Sequence, residues 1–122
     1  MRRAQGAKCP AETTIEVIGG RWKVPVVWHL FAGTMRFSEL RRSLPGCTPK
    51  MLTQQLRELE ADGIVLRKVY AQVPPKVEYS LTDLGQRLNT ALLPLGDWGE
   101  ENMAGIAKRR GVTPAPPHTA SA

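Results

Sequence analysis

Long apolar runs are missing from this sequence, so nothing in it predicts a membrane-spanning helix. The first eight residues are basic, but the apolar segment that a secretory signal needs does not follow them. We therefore expect a cytoplasmic protein. The 122 residues, of which 42% are hydrophobic and 23% charged, are enough for one globular domain with a modest core.

Cysteine and histidine are scarce, and this scarcity excludes the common metal sites. Cys9 and Cys47 lie too far apart in sequence to form a zinc motif, and a reducing cytoplasm would keep both as thiols. His29 has no cysteine or carboxylate at ligand spacing. We expect no metal and no cofactor.

Catalytic motifs are also absent. The sequence has no glycine-rich phosphate loop, no G-x-S-x-G elbow and no H-E-x-x-H pair. Glu100 and Glu101 are neighbours in sequence, so their carboxylates would diverge on a helix. The chain is therefore not expected to be an enzyme.

Acidic residues are outnumbered, with 11 Asp and Glu against 17 Lys and Arg, and the net charge is +6. Such a balance fits a polyanionic partner, although charge alone shows neither fold nor specificity. Several basic residues surround residues 48–79, where the local pattern is clearest. Thr48 is a typical N-cap, Pro49 suits a first helical position, and Gly63 suits the residue beyond a helix end. The expected buried face of this helix comprises Leu52, Leu56 and Leu59.

The opposite face of that helix carries the side-chain types that read base edges and hold phosphates: Lys50, Thr53, Gln54 and Arg57. Gln54 could pair with adenine, and Lys50 or Arg57 could reach guanine or phosphate. The alternative is a merely solvated face, on which Arg57 would pair with Glu60 or Asp62.

A β-hairpin is predicted directly after this helix. Residues 64–70 and 77–81 have the composition and alternation of short strands, and Pro74 and Pro75 stiffen the link over 71–76. Arg67, Lys68 and Lys76 could add phosphate contacts, or could be ordinary edge charges that prevent aggregation. A helix beside a basic ribbon is how a winged-helix protein grips duplex DNA.

Helices are also predicted on both sides of this unit. The first covers about residues 11–18, the second begins near Trp22 and ends at Gly33, and the third has Ser38 as its expected N-cap. The last is capped by Thr82 and carries a leucine-rich ridge that ends at Trp98. We expect residues 1–8 to be a flexible basic arm, 9–103 the folded domain, and 104–122 a disordered tail.

The order and spacing of these motifs closely resemble those of the HxlR family of bacterial and archaeal transcription regulators, over about residues 9–103. Each piece is weak alone, but the set is highly specific. The segments that carry the resemblance are residues 9–10, 18–23, 36–40, 44–46, 49–53, 56–60, 73–79, 81–82 and 84–85.

The resemblance implies a mainly α fold with a small β-hairpin, namely a winged helix-turn-helix with added N- and C-terminal dimerisation helices. It implies a homodimer on a two-fold-related operator, with the 48–61 helix in the major groove and the 71–76 tip at the backbone or minor groove. The expected interface comprises Ile15, Ile18, Leu92, Leu95 and Trp98. The expected DNA contacts are Arg36, Ser38, Thr48, Pro49, Lys50, Thr53, Gln54, Arg57, Arg67, Lys68 and Lys76.

Control of DNA binding could use a thiol or a small ligand. In some relatives a cysteine equivalent to Cys9 senses oxidants, and the alternative is a small buried thiol at the interface. Cys47 resembles an apolar staple on Leu52. Trp22, Trp28, His29 and Trp98 could line a ligand pocket or belong to the core. The sequence does not decide between repression and activation. The alternative function is a winged helix that only binds proteins.

Overall fold

The computed structural model describes residues 9–113. The predicted basic arm at 1–8 and the last part of the predicted tail, 114–122, lie outside these residues. The elements in chain order are α1 (Pro10–Ile18), α2 (Lys23–Ala32), β1 (Met35–Arg36), α3 (Phe37–Ser43), α4 (Pro49–Ala61), β2 (Val65–Tyr70), β3 (Lys76–Leu81) and α5 (Asp83–Arg110).

The predicted fold class is confirmed, because helices surround a small antiparallel hairpin of β2 and β3. The sheet has a third strand that the sequence did not predict. β1 pairs with β3 and places β3 in the centre, with Met35 opposite Tyr79 and Arg36 opposite Glu78. A strand of two residues is too short to show the alternation by which strands are recognised in sequence.

One hydrophobic core joins α2, α3, α4 and the sheet. Its completely buried side chains include Val26 and Val27 from α2, Leu40 from α3, and Leu52 and Leu59 from α4. The predicted leucine face of α4 is therefore the buried face. Each buried leucine stabilises the folded state by roughly 1.5–3 kcal/mol relative to an exposed one. The leucine face therefore fixes the rotation of α4 about its axis.

Ser38 is not the N-cap of α3, contrary to the sequence-based expectation. The helix begins at Phe37, and Arg36 occupies the cap position. The carboxylate of Glu39 accepts a hydrogen bond from the backbone N–H of Arg36 at 2.9 Å and so satisfies a donor at the helix start. Ser38 lies in the first turn and is exposed.

The last helix is longer than predicted and continues through Pro94 to Arg110. The boundary expected at residue 103 is thus too early for this helix. Ala107 is only 2% exposed, which anchors the added turns. Basic residues in the last turn, Lys108 to Arg110, match the negative end of the helix dipole.

The start of α5 is fixed to the end of α4 by a close backbone approach. Thr82 Oγ1 accepts a hydrogen bond from the Gly85 N–H at 3.1 Å and donates to the Gly63 carbonyl at 2.6 Å. A Cβ at Gly85 would overlap the Ile64 carbonyl oxygen, and Gly63 has a φ of +77° that favours glycine. These contacts hold the hairpin and α5 in place beside α4.

Candidate nucleic-acid interface

α3 and α4 form a helix-turn-helix whose second helix has well-defined ends. Thr48 Oγ1 accepts a hydrogen bond from the Met51 N–H at 3.1 Å, as expected for the N-cap, and Pro49 follows it at the first helical position. Cys47, just before the cap, and Leu52 both belong to the buried core. This arrangement is that of the predicted apolar staple.

The polar face of α4 is turned to solvent. Lys50, Gln54 and Arg57 are exposed, and Thr53 is half-buried. The Thr53 hydroxyl donates to the Pro49 carbonyl at 2.8 Å, so its donor is already used within the helix. Its methyl group and its lone pairs are what remain for a DNA partner.

Gln54 is held by a hydrogen-bonded chain that reaches back to α2. Gln54 Nε2 donates to Glu58 Oε2 at 2.7 Å, and Lys23 Nζ donates to Glu58 Oε1 at 2.8 Å. Lys23 is only 7% exposed. An amide nitrogen carries two hydrogens, so Gln54 keeps one donor and its carbonyl acceptor for a base edge.

Lys23 and Glu58 were not among the site residues predicted from the sequence. The spacing of four between Gln54 and Glu58 is visible in the sequence, but Lys23 lies 35 residues before Glu58. The hydrogen bonds from Lys23 and then Gln54 hold the pKa of Glu58 below its ordinary value. Glu58 therefore remains an ionised acceptor at neutral pH.

Arg57 and Arg67 share one polar groove between α4 and the hairpin. The groove has a volume of about 380 Å³ and is lined by both arginines together with Thr53 and Glu60. Among residues 9–113, Arg57 makes no ion pair with Glu60 or Asp62, so the alternative pairing considered for it is not observed. Two guanidinium groups thus converge beside the polar face of α4.

The predicted contacts on the hairpin do not share a face. Arg67 pairs in register with Tyr79, and Lys68 pairs with Glu78. Because side chains alternate along a strand, Arg67 lies on the side of buried Tyr79, while Lys68 lies on the outer side. The groove and the outer side of the hairpin are therefore two separate basic surfaces.

The outer side of the hairpin concentrates positive charge around one aromatic ring. The Nζ atoms of Lys68 and Lys76 lie 4.8 and 4.9 Å from the centroid of the Tyr70 ring. A hydrogen bond from Tyr70, and after it the charges of Lys76 and Lys68, hold the pKa of Glu78 below its usual value. Two lysines therefore flank one carboxylate, and the register places Arg36 opposite Glu78 on the neighbouring strand.

The expected dimer residues differ in their exposure. Ile15, Leu95 and Trp98 are 57%, 59% and 56% exposed. Ile18, by contrast, is only 4% exposed, because the end of α1 packs into its own chain, and it is not available to a second copy. Leu92 is half-buried against the core.

The two cysteines lie in different surroundings. Cys9 is partly exposed directly before α1, whereas Cys47 is 5% exposed and belongs to the core. Burial raises the pKa of the Cys47 thiol, and nearby Arg21 offsets this only in part. Cys47 is accordingly the less reactive thiol.

No helix within residues 9–113 is both long and apolar enough to cross a bilayer. In the same part of the chain, no three His, Cys, Asp or Glu side chains lie close enough together to hold a metal ion.

A helix-turn-helix followed by a basic hairpin defines a winged-helix DNA-binding regulator. The HxlR-like helix-turn-helix family matches this chain over residues 17–107. The chain therefore belongs to that family, and it is a transcription regulator and not an enzyme.

Individual relatives agree with this assignment. The HTH-type transcriptional regulator YybR of Bacillus subtilis is 57% identical over 94 residues, which cover 77% of this chain and 75% of YybR. The redox regulator HypR in its reduced form is 53% identical, with a TM-score of 0.78 over 82% of this chain and 99% of HypR. The oxidised form of HypR is 57% identical, with a TM-score of 0.71 over 77% of this chain and 97% of HypR.

Proposed function

We propose that this chain binds a specific two-fold-related operator as a homodimer and changes its affinity in response to an effector. The observation that carries the proposal is the capped helix α4, whose leucine face is buried while Lys50, Gln54 and Arg57 remain exposed. A rigid helix with a free polar face can enter the major groove and read base edges.

The interface residues divide into two proposed roles. Lys50, Thr53 and Gln54 contact base edges, and the chain of hydrogen bonds from Lys23 through Glu58 orients Gln54. The remaining predicted contacts hold the sugar-phosphate backbone and fix the position of α4 in the groove. These are Arg36, Ser38, Thr48, Pro49, Arg57, Arg67, Lys68 and Lys76.

A second copy of the chain is the proposed cover for the apolar surface of α1 and α5. Ile15, Leu95 and Trp98 are each more than half exposed. Leu92, three residues before Leu95, is half-buried. Aromatic residues such as Trp98 are enriched at interfaces, where they dominate the binding energy. Pairing through these helices would set the distance between two α4 helices.

The experiment is a gel-shift titration on DNA from the region upstream of the chain's own gene. We expect specific binding that weakens steeply with salt, because Lys and Arg contacts release counterions from the phosphates. Binding that ignores salt, or no binding, would contradict the proposal.

Two variants test the role of α4. Lys50→Ala combined with Gln54→Ala should lower specific binding by at least about 30-fold, since each lost base contact is worth roughly 1–3 kcal/mol and every 1.4 kcal/mol is about tenfold in affinity. Lys108→Ala is the matched control, because it removes one positive charge from the exposed last turn of α5. If the double variant bound its operator as the wild type does, Lys50 and Gln54 would not be the residues that read the bases. No specific binding by the wild type itself would favour a winged helix that only binds proteins.

Cys9 is the proposed site of oxidant sensing. Of the two cysteines it is the more exposed, and the similar protein HypR is a redox regulator with reduced and oxidised forms. Diamide treatment should change the operator affinity of the wild type and of Cys47→Ser but leave that of Cys9→Ser unchanged. Equal responses of the two variants would contradict this role.

A further inference from the structure

A pocket between α2 and α5 has the features of a small-molecule site. It has a volume of about 370 Å³, and its walls include Val24 and Trp28 from α2 and Leu92, Leu93 and Leu95 from α5. An apolar cavity of roughly 150 Å³ is enough for benzene, so this one can hold one or two rings. Nothing in the DNA-binding interface uses it.

One polar group in this pocket lacks a partner. Asn89 lines the pocket and is only 2% exposed, yet its Nδ2 has no hydrogen-bond partner among the described residues. Buried amides are nearly always hydrogen-bonded, because an unsatisfied donor loses its hydration without compensation. Nδ2 has almost no accessible surface in this conformation, so an acceptor atom of a bound molecule would satisfy it once the amide turned toward the pocket.

We propose that this pocket binds an uncharged aromatic compound of one or two rings that carries an acceptor oxygen. The leucines and Val24 favour an apolar body, Trp28 offers an aromatic wall, and Asn89 Nδ2 would donate to the oxygen. Asp97 and Glu100 also line the pocket, and their charges disfavour anions.

The position of the pocket connects it to control of DNA binding. Leu95 lines the pocket and also belongs to the proposed dimer surface, and Val24 follows Lys23, which holds Glu58 of α4. A bound ring would therefore change both the packing of α5 and the segment of α2 that supports the recognition helix. This regulatory consequence rests on the proposed function, whereas binding in the pocket does not.

The chain offers a matched pair of variants for the test. Gly96 lines the pocket, and a Cβ built on Gly96 meets nothing within 4 Å; the same holds for Gly99, which does not line it. Gly96→Leu therefore adds a side chain at the wall of the pocket from an uncrowded Cβ position, and Gly99→Leu makes the same change to α5 elsewhere. Asn89→Leu removes the unpaired donor at similar volume.

The probe is prodan, an uncharged two-ring aromatic ketone whose fluorescence shifts in an apolar site. We expect saturable binding to the full chain, a loss of more than tenfold in affinity for Gly96→Leu, and little change for Gly99→Leu. Asn89→Leu should weaken binding about fivefold, as expected for one hydrogen bond. 2-Acetylnaphthalene should compete with prodan, and 2-naphthoate should not.

Several outcomes would overturn the site. Prodan binding that Gly96→Leu and Asn89→Leu leave unchanged would place the probe elsewhere. Absence of prodan binding at every protein concentration would refute the site. Binding that disappears as the protein concentration rises into the range of the dimer would show that a second copy fills the pocket.

A separate gel shift measures operator affinity with and without 2-acetylnaphthalene. A change in the wild type that Gly96→Leu abolishes supports regulation through the pocket, and no change refutes it. Because prodan binding is measured without DNA, a failure of the pocket is distinguishable from a failure of DNA binding.

Discussion

α4 and α5 differ in how much of their apolar surface is buried by the chain to which they belong. α4 buries Leu52, Leu56 and Leu59 to 2% exposure or less, and its outer face is polar. α5 leaves Leu95 and Trp98 more than half exposed over its middle. The recognition helix is therefore held by its own chain, while the last helix still presents apolar surface.

This difference separates two roles for leucine-rich helices. In α4 the buried leucines fix the rotation of the helix and so orient its polar face, through which they would act on the proposed DNA binding. In α5 exposed apolar residues point to association, because contiguous apolar surface on a folded chain marks an interaction site. Substitutions of the buried leucines of α4 should therefore change folding, and substitutions of the exposed apolar residues in the middle of α5 should change assembly.

The largest expected effect is that of Leu52→Ala in the buried face of α4. Leu52 is completely buried, so its truncation leaves a cavity and should lower the free energy of unfolding by about 3 kcal/mol. Urea denaturation at fixed protein concentration measures the change. Met51→Ala is the control, because Met51 is 46% exposed on the same helix and should cost less than about 0.5 kcal/mol. Equal costs would remove the distinction between the two faces of α4.

The second effect concerns assembly. Trp98→Ala should raise the dimer dissociation constant about 30-fold, which corresponds to roughly 2 kcal/mol for a buried interface tryptophan. Analytical ultracentrifugation measures it. Val69→Ala provides the control, since Val69 is 53% exposed on the hairpin and outside the proposed interface. If Trp98→Ala left the association unchanged, α5 would not be the dimerisation helix.

The third effect compares the starts of the two helices. Thr48→Ala removes one cap hydrogen bond and should lower the free energy of unfolding by about 1 kcal/mol. Thr82→Ala should cost more, because the Thr82 hydroxyl also donates to the Gly63 carbonyl and joins α5 to the end of α4. Thermal unfolding followed by circular dichroism ranks the two variants. The reverse order would show that this link between the helices adds little.

The smallest expected effect is a pH dependence that originates in α4. The pKa of Glu58 is lower in the folded state than in the unfolded chain. Its carboxylate therefore contributes fully to the free energy of unfolding above the unfolded pKa of about 4.3, and this contribution is lost as the pH falls through the folded pKa. Glu58→Gln should therefore flatten the decline in stability below about pH 4. Glu60→Gln, an exposed neighbour on the same helix, should not. Unfolding scans between pH 2 and 7 test this.

The sequence predicted what depends on local chemistry. Thr48, Pro49 and the leucine spacing define α4 because caps and periodicity are written in consecutive residues. β1 was missed because two residues show no alternation. The cap predicted for α3 was wrong because the helix begins at Phe37, earlier than a cap at Ser38 implies, and the Glu39 carboxylate accepts the Arg36 N–H at its start. The pocket residue Asn89 could not be found at all, since an isolated asparagine in a helix gives no sign of lacking a partner.

The hydrogen-bonded chain from Lys23 to Gln54 ties the proposed recognition helix to a residue of α2, so the helix alone does not carry its own geometry. A regulator with new specificity is commonly imagined as the old scaffold with the polar face of one helix exchanged. Here Gln54 is positioned by Glu58, and Glu58 by a lysine on α2. Consider a graft of residues 49–61 onto a related scaffold that has no lysine at the equivalent of position 23. The graft would transfer the polar side chains of α4 but not the lysine contact that holds Glu58 and, through it, Gln54.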